Sequence, residues 1–262
     1  MRLQNLPLLK DSTTGKYIPL ALDPFYFLRV AETIAEQGGL PAYDAMRYPS
    51  LKVGFPDEIL PQAVILLHKI GRVFDKDVTI QFINVISPVI FFVLGLIVFF
   101  FLIFVLTKSK SIALISSVFL AIIPAYLYRT MAGFSDHESI GMLAFFLTLL
   151  CYSLALKFLD KPKTENQNKQ EKNKNILKTV LFGLLVGFVS AFTIASWVGI
   201  ASFIFMIIPL SFGLFWLIKV QNLEKDKINE KLLNYLIFYV IWVVFTILFT
   251  GIYGFNFSSI IN

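Results

Sequence analysis

The sequence predicts an all-α membrane protein, a bundle of helices that crosses the bilayer several times. Of its 262 residues, 57% are hydrophobic, 16% are aromatic and only 15% are charged. This composition excludes an ordinary soluble domain. Several apolar stretches also reach the roughly 20 residues that a helix needs to cross a hydrocarbon core of about 30 Å. Six such spans are predicted, near 79–106, 111–131, 139–159, 176–196, 199–219 and 232–253.

The spans divide the chain into two parts. Residues 1–77 precede the first span and are predicted to form an external loop with short helices, whereas residues 78–262 form the transmembrane bundle. The boundary between the fourth and fifth spans is the weakest, because only Thr193 to Trp197 interrupts that apolar run. Segment length favours two helices there over one long kinked helix.

Within residues 1–77, two short helices are predicted. The first has Asp23 at its N-cap and Pro24 at its first helical position. It runs to Gln37 and is ended by the glycine pair that follows. The second covers about 57–73 and has one apolar face, so we expect it to lie against the membrane or the bundle.

Lysine placement predicts the orientation of the bundle. The loops after the first, third and fifth spans contain lysines, whereas the two connections between them contain none. By the positive-inside rule the lysine loops are cytoplasmic. Residues 1–77, Asp136 and Glu138 are therefore predicted to be extracytoplasmic. The lysines are Lys108 and Lys110; Lys157, Lys161, Lys163, Lys169, Lys172, Lys174 and Lys178; and Lys219, Lys225, Lys227 and Lys231.

The net charge of +6 follows from this lysine placement, so no nucleic-acid partner is expected. Basic and acidic residues are equally numerous in residues 1–77, and no secretory signal opens the chain. An external first segment therefore suggests that a preceding transmembrane helix is missing. The last span is also followed by no closing domain. We expect the chain to be a fragment.

A run of charged residues separates the second and third spans. Within Arg129 to Glu138, the acids Asp136 and Glu138 lie two residues apart at the start of a span. Charge at a membrane edge is costly and indicates function, and carboxylate oxygens are the ligands that Mg²⁺ or Mn²⁺ prefers. Two carboxylates rarely complete the shell, and on the same side Asp23 is the strongest third candidate. The residues thus predict a split metal site of Asp23, Asp136 and Glu138.

Each of these residues also has a purely structural interpretation. Asp23 and Asp136 could be helix N-caps, and Glu138 a first-turn acid that the helix dipole favours. His137 could add a nitrogen ligand, although a side chain between two converging neighbours generally points elsewhere. Arg129 could bind a phosphate by two parallel hydrogen bonds, or could simply extend to the membrane interface.

These segments resemble motifs of the catalytic subunit of the oligosaccharyltransferases of N-linked protein glycosylation, most closely the archaeal form. That family has an acidic motif in its first external loop, matched by Asp23 to Arg29. Its second external loop has Asp-x-Asp, Asp-x-Glu or Asp-x-His after an Arg-Thr-x-x-Gly lead-in, matched by Arg129 to Glu138. The resemblance covers essentially the whole chain, as the N-terminal transmembrane part of the family without its first helix.

The resemblance implies a multi-pass cell-membrane glycosyltransferase of the GT-C fold class, with an extracytoplasmic active site and Mn²⁺ or Mg²⁺ as cofactor. It would transfer an oligosaccharide from a dolichyl phosphate or diphosphate carrier to asparagine in Asn-x-Ser/Thr acceptors. By position, Asp23, Asp136 and Glu138 would be the catalytic, metal-binding residues. Asp23 would also contact the acceptor amide, and Arg129 would bind the carrier phosphate. The family's later acidic loop and soluble acceptor-binding domain do not occur here, so the fragment is expected to be inactive alone.

Two other functions share some of these sequence features. Another GT-C enzyme, such as a protein O-mannosyltransferase or a lipid-linked sugar transferase, shares the acidic first loop but generally lacks the second motif. A cation transporter could use Asp136 and Glu138 as an ion site. The transporter is disfavoured because the acids lie at a membrane face and the spans have few polar residues to line a path. The sequence contains no Gly-rich phosphate loop or Cys/His zinc spacing.

Overall fold

The structure is a computed structural model that describes residues 1–44, 46, 51–52, 59–160, 169–221 and 225–252. It divides into two compact units. The first consists of Met1–Ile97 and Ile115–Leu143, and the second of Val98–Leu114 and Ala144–Asn262. The predicted site residues all belong to the first unit.

Short elements precede the long helices. A 3-10 turn over Leu6–Leu9 is followed by α1 (Leu22–Gln37), and α2 covers Ile59–Phe74. Between these helices, β1 (Tyr43–Asp44) and β2 (Leu51–Lys52) pair antiparallel. Seven α-helices follow in the described part of the chain: α3 (Ile80–Thr107), α4 (Lys110–Ile122), α5 (Pro124–Arg129), α6 (His137–Asp160), α7 (Lys169–Ser196), α8 (Ala201–Gln221) and α9 (Lys225–Ile252).

Within the described residues, five helices are long and apolar enough to cross a membrane, namely α3, α6, α7, α8 and α9. The predicted second span, 111–131, differs because it is divided into α4 and α5. Pro124 lacks an N–H, and its ring disfavours helical backbone at the preceding residue. Accordingly Ile123 has a ψ of 120° and separates the two helices. Apolar composition alone did not reveal this break.

The fourth and fifth spans are separate helices, as segment length favoured. Helix α7 ends at Ser196, and Trp197 is extended, with φ −159° and ψ 100°. A 3-10 turn, Val198–Ile200, then leads into α8. Part of the polar stretch that follows the third predicted span is helical, since α7 begins at Lys169.

The predicted first helix exists, but its start was predicted wrongly. The N-cap is Ala21, so the helix begins at Leu22 and Asp23 lies in its first turn instead of capping it. The end agrees with the prediction: Gly38 adopts a left-handed φ of 77°, and its N–H donates to the carbonyl of Ile34 at 2.9 Å. Helix capping therefore does not explain why an acidic residue occupies position 23. The second predicted helix, 57–73, corresponds to α2, and its first two positions lie outside the described residues.

In the second unit, α7 and α9 pack closely through small residues. A Cβ on Gly183 would come within 2.8 Å of Ile241 Cγ2, and one on Gly187 within 3.0 Å of Phe245 Cβ. Trp242 is fully buried beside them, and its indole N–H donates to Ser190 Oγ at 3.0 Å. Small residues let helix backbones approach each other, which is how helices associate where lipid offers no hydrophobic driving force.

Candidate metal and phosphate site

Asp136 lies at the N-terminus of α6 and is almost completely buried, with 3% of its surface exposed. Its Oδ1 accepts the backbone N–H of His137 at 2.7 Å, and the Ser139 hydroxyl donates to its backbone carbonyl at 3.1 Å. The carboxylate therefore satisfies a backbone donor in the first turn of α6. This agrees in part with the structural interpretation of Asp136 as a cap. The hydrogen bond from His137 N–H uses only Oδ1 of the carboxylate.

His137 joins the acids instead of pointing away from them. Its Nδ1 lies 2.8 Å from Asp136 Oδ1. Among the described residues, Asp136, His137 and Glu138 form a group whose potential ligand atoms all lie within 4.8 Å of one another. The sequence ranked His137 as the weaker candidate because adjacent side chains usually diverge, but the turn into α6 brings them together.

The two carboxylate oxygens of Glu138 have different surroundings. Its Oε1 lies 3.0 Å from Arg129 Nη1, in an ion pair. Its Oε2 is buried and has no hydrogen-bond partner among the residues that the structure describes. A buried carboxylate oxygen without a partner is costly, so this atom points to a ligand that belongs there.

Arg129 ends α5 and faces the acidic residues across the loop. Besides its ion pair with Glu138, its guanidinium carbon lies 4.8 Å from the ring centroid of Phe134, a cation–π distance. Half of the side chain is exposed, 51%. A guanidinium that is paired on one side and half exposed still has N–H donors available for an anion.

Asp23 lies near this group but outside it. The side chain is exposed in the first turn of α1, and an electrostatic interaction connects it to His137. One turn further along the helix, the Phe27 ring packs edge-to-face on the His137 imidazole, with 6.0 Å between centroids. The structure therefore brings the helix of Asp23 to the acids without bringing its carboxylate within the 4.8 Å group.

The electrostatics favour an anionic Asp136. Burial opposes the charged form and by itself would raise the pKa of this carboxyl. The hydrogen bonds and charge of His137, together with the charge of Arg129, outweigh burial and hold the pKa of Asp136 below its ordinary value. Asp136 is therefore ionised at neutral pH, which is the state a metal ligand requires.

The donor set fits a divalent cation. The carboxylates of Asp136 and Glu138 converge with the imidazole of His137, and Oε2 of Glu138 is buried and unsatisfied. Asp23 on α1 is the third carboxylate. Hard cations such as Mg²⁺ and Mn²⁺ take carboxylate oxygens, and an imidazole is acceptable to Mn²⁺ or Zn²⁺. Asp136 and Glu138 are the residues that would hold the cation.

Comparison with protein families matches residues 11–262 to the N-terminal region of oligosaccharyl transferase STT3. The chain belongs to the STT3 family. Its sequence is 25% identical over 246 residues to the dolichyl-phosphooligosaccharide-protein glycotransferase of Methanocaldococcus jannaschii, a match that covers 87% of this chain and 26% of that protein. The chain thus spans about a quarter of the length of this curated relative.

Two solved structures share the STT3 fold of this chain. One is the archaeal oligosaccharyltransferase AglB from Archaeoglobus fulgidus in complex with an inhibitory peptide and a dolichol-phosphate. It aligns with a TM-score of 0.62 and 19% identity over 89% of this chain and 26% of that one. The other is an A. fulgidus oligosaccharyltransferase in complex with Zn and sulfate, with a TM-score of 0.52 and 17% identity over 96% of this chain and 34% of that one. These matches confirm the predicted fold class, a helical membrane protein of GT-C type.

One residue of this STT3 site was missed in the sequence. Phe27 of α1 contacts His137, but in the sequence it is distinguished only as one residue of the Asp23 to Arg29 motif. A signal was available, because Phe27 follows Asp23 by four residues and therefore shares its helix face.

Proposed function

We propose that the full-length protein transfers an oligosaccharide from a dolichyl phosphate or diphosphate carrier to asparagine in Asn-x-Ser/Thr sequences. The observation that carries the proposal is the convergence of Asp136, His137 and Glu138 beside Arg129, at the motif positions of an STT3 chain. A site with acids for a cation and an arginine for an anion suits a donor whose leaving group is a phosphate and whose tail stays in the bilayer.

Asp136 and Glu138 would hold Mn²⁺ or Mg²⁺, and Asp23 on α1 would approach as the third carboxylate. Such a cation would supply a Lewis acid that stabilises the phosphate leaving group. The unsatisfied Oε2 of Glu138 supports this assignment, because a ligand bond would satisfy that atom.

The other residues orient the two substrates. The guanidinium of Arg129 presents parallel N–H donors that match the oxygens of the carrier phosphate. The carboxylate of Asp23 is exposed and can accept a hydrogen bond from the acceptor amide, which orients this weak nucleophile towards the sugar. His137 holds Asp136 through its Nδ1 contact and keeps the carboxylate in place.

The site faces the extracytoplasmic side of the cell membrane in this proposal. The lysine-containing loops support this orientation through the positive-inside rule. A topology reporter fused after Lys163 should read as cytoplasmic, and one fused after Gly133 as external. The opposite pattern would contradict the orientation, whatever the activity of the protein.

The decisive experiment is glycan transfer by the full-length protein. Purified enzyme receives lipid-linked glycan, Mn²⁺ and a fluorescent peptide with an Asn-x-Ser/Thr sequence. Asp136→Ala and Glu138→Ala should each abolish transfer and lower Mn²⁺ affinity, whereas Glu36→Ala, at an exposed position near the end of α1, should retain both. Retained transfer in both site variants would remove the metal-site hypothesis, and no transfer by the wild type with any lipid-linked glycan would remove the proposed function.

A further inference from the structure

Arg2 is a buried arginine that neither the sequence motifs nor the proposed site accounts for. Only 8% of its surface is exposed. Its guanidinium carbon lies 3.3 Å from the ring centroid of Phe92 on α3, a position about 18 Å along that helix from its first residue. Within the described part of the chain, no carboxylate lies at ion-pair distance from it. A charge this deep beside a transmembrane helix is costly unless it has a function.

Two groups offset part of the charge of Arg2, whose buried Nη2 has no hydrogen-bond partner among the described residues. The face of the Phe92 ring offers a cation–π contact. Nη1 also donates to the carbonyl of Ala121 at 3.0 Å, in the last turn of α4. Carbonyls at the end of a helix have no partner within it and carry the negative end of the helix dipole. The break between α4 and α5 therefore creates the acceptor that Arg2 uses.

The remaining contacts of Arg2 lead directly to the candidate site. Its Nε donates to Thr130 Oγ1 at 2.8 Å, and Thr130 in turn donates to the carbonyl of Tyr126 in α5. The backbone carbonyl of Arg2 accepts the N–H of Ala132 at 2.9 Å, and Asn5 Nδ2 donates to the carbonyl of Ala132 at 2.8 Å. Side chain and backbone of one residue thus fix both ends of a three-residue segment.

That segment starts immediately after Arg129. Thr130 is the C-cap of α5, and Arg129 is the last residue of that helix. The direction of the Arg129 side chain towards Glu138 therefore depends on how the cap residue is held. Gly133 directly follows the segment and has a φ of 86°, and a Cβ there would come within 2.6 Å of Leu9 Cδ1. The N-terminal segment thus packs tightly against the loop that carries the motif.

We propose that Arg2 is a positioning residue that orients Arg129 for the carrier phosphate by anchoring Thr130. The inference rests on the phosphate role given to Arg129 under the proposed function. Arg2 does not touch the substrate. It fixes the end of α5, so that Arg129 is already oriented when the donor arrives.

The test is a double-mutant cycle in the full-length protein in lipid nanodiscs. Four proteins are compared: wild type, Arg2→Met, Arg129→Ala and the double variant. Arg2→Met keeps an apolar stem but loses the donors, and should raise the KM for the lipid-linked donor about tenfold, with the KM for the acceptor peptide unchanged. In the Arg129→Ala background the same change should have less than a twofold effect, because Arg2 acts through Arg129.

The outcomes test the positioning role of Arg2 and the phosphate role of Arg129 separately. If the two effects on donor KM multiply independently, Arg2 only stabilises the fold and the inference is overturned. If Arg129→Ala alone leaves donor KM unchanged, the phosphate role of Arg129 fails, and the inference fails with it. Arg72→Met, which removes an exposed arginine at the end of α2, is the matched control and should behave as wild type.

A second pair of variants covers the case in which Arg2→Met does not fold. Thr130→Val keeps the shape of the side chain but removes the acceptor of the Arg2 hydrogen bond, whereas Thr130→Ser retains the hydroxyl. The valine variant should raise donor KM and the serine variant should leave it near the wild-type value. Equal donor KM in the two variants would overturn the inference.

Discussion

The ring of Phe27 stands edge-on to the imidazole of His137, with 6.0 Å between centroids and 83° between the ring planes. Through this contact, the helix that carries Asp23 reaches the residue between Asp136 and Glu138. The three acids of the proposed site come from two distant parts of the sequence, and the aromatic contact holds those parts together. Its removal should therefore affect metal binding as well as stability.

Phe27→Ala tests this contact. Phe27 is buried, and truncation of a buried phenylalanine costs about 3–5 kcal/mol of the free energy of unfolding. Mn²⁺ affinity should fall as well, because α1 loses its contact with His137. The control is Phe25→Ala on the same helix, where the side chain is 47% exposed and little should change. Thermal unfolding and Mn²⁺ titration measure the two effects; equal losses in both variants would contradict the role of Phe27.

Glu138→Gln separates charge from shape at the unsatisfied oxygen. The variant keeps the size of the side chain but removes the charge that a cation needs. Without metal, the stability should stay within about 1 kcal/mol of wild type, because the lost ion pair involves a half-exposed arginine. The rise in Tm on addition of Mn²⁺ should disappear, since ligands stabilise only through binding to the folded state. Glu36→Gln should retain that rise. A full Mn²⁺ response in Glu138→Gln would argue against Glu138 as a ligand.

The lowered pKa of Asp136 predicts a pH dependence of stability in metal-free protein. A carboxyl whose pKa is lower in the folded state than in the unfolded state stabilises the fold above the unfolded pKa, and this contribution is lost as the pH falls through the folded pKa. The Tm of the wild type should therefore decrease in acid, below the ordinary range of aspartate. Asp136→Asn should flatten that decrease, as measured by unfolding between about pH 2 and pH 6. An identical acid dependence in both proteins would show that Asp136 does not carry this effect.

The α7–α9 contact predicts that alanine substitution destabilises the protein at glycines inside the contact and does not do so at a glycine outside it. Gly183→Ala and Gly187→Ala should each destabilise the protein by about 1–3 kcal/mol, because the added Cβ has no space. Gly213→Ala in α8 should be neutral or stabilising, since its Cβ would meet no atom of the described residues within 4 Å. Thermal unfolding of the three variants in the same lipid measures this. Destabilisation by Gly213→Ala equal to that of the other two would contradict close packing as the cause.

Much of the fold could be predicted because hydropathy reports directly on the helices that cross the membrane. Such helices must satisfy all backbone groups internally, so composition and length suffice to find them. The break at Ile123 could not be predicted from composition and length. Apolar residues continue on both sides of it, and only the stereochemistry of Pro124 separates α4 from α5.

The site was predictable in part for a different reason. Asp136 and Glu138 are neighbours in sequence, so their convergence needed only a local turn. The participation of His137 depends on the side-chain directions in that turn, which spacing alone does not give. Arg2 gave no signal at all, because its contact with Thr130 connects residues 128 positions apart.

Helix α4 has a consequence for the lipid around the site. Its 13 residues extend about 20 Å, which is shorter than a typical hydrocarbon core of about 30 Å. Local thinning of the bilayer is one way in which a short apolar helix is accommodated, beside the extension of flanking residues to the interface and association with other helices. Thinning next to α5 would bring the membrane–water interface closer to Arg129. A lipid phosphate could then contact the guanidinium while its isoprenoid tail stays in the hydrocarbon core. Acyl-chain length would then be a physical variable for donor capture.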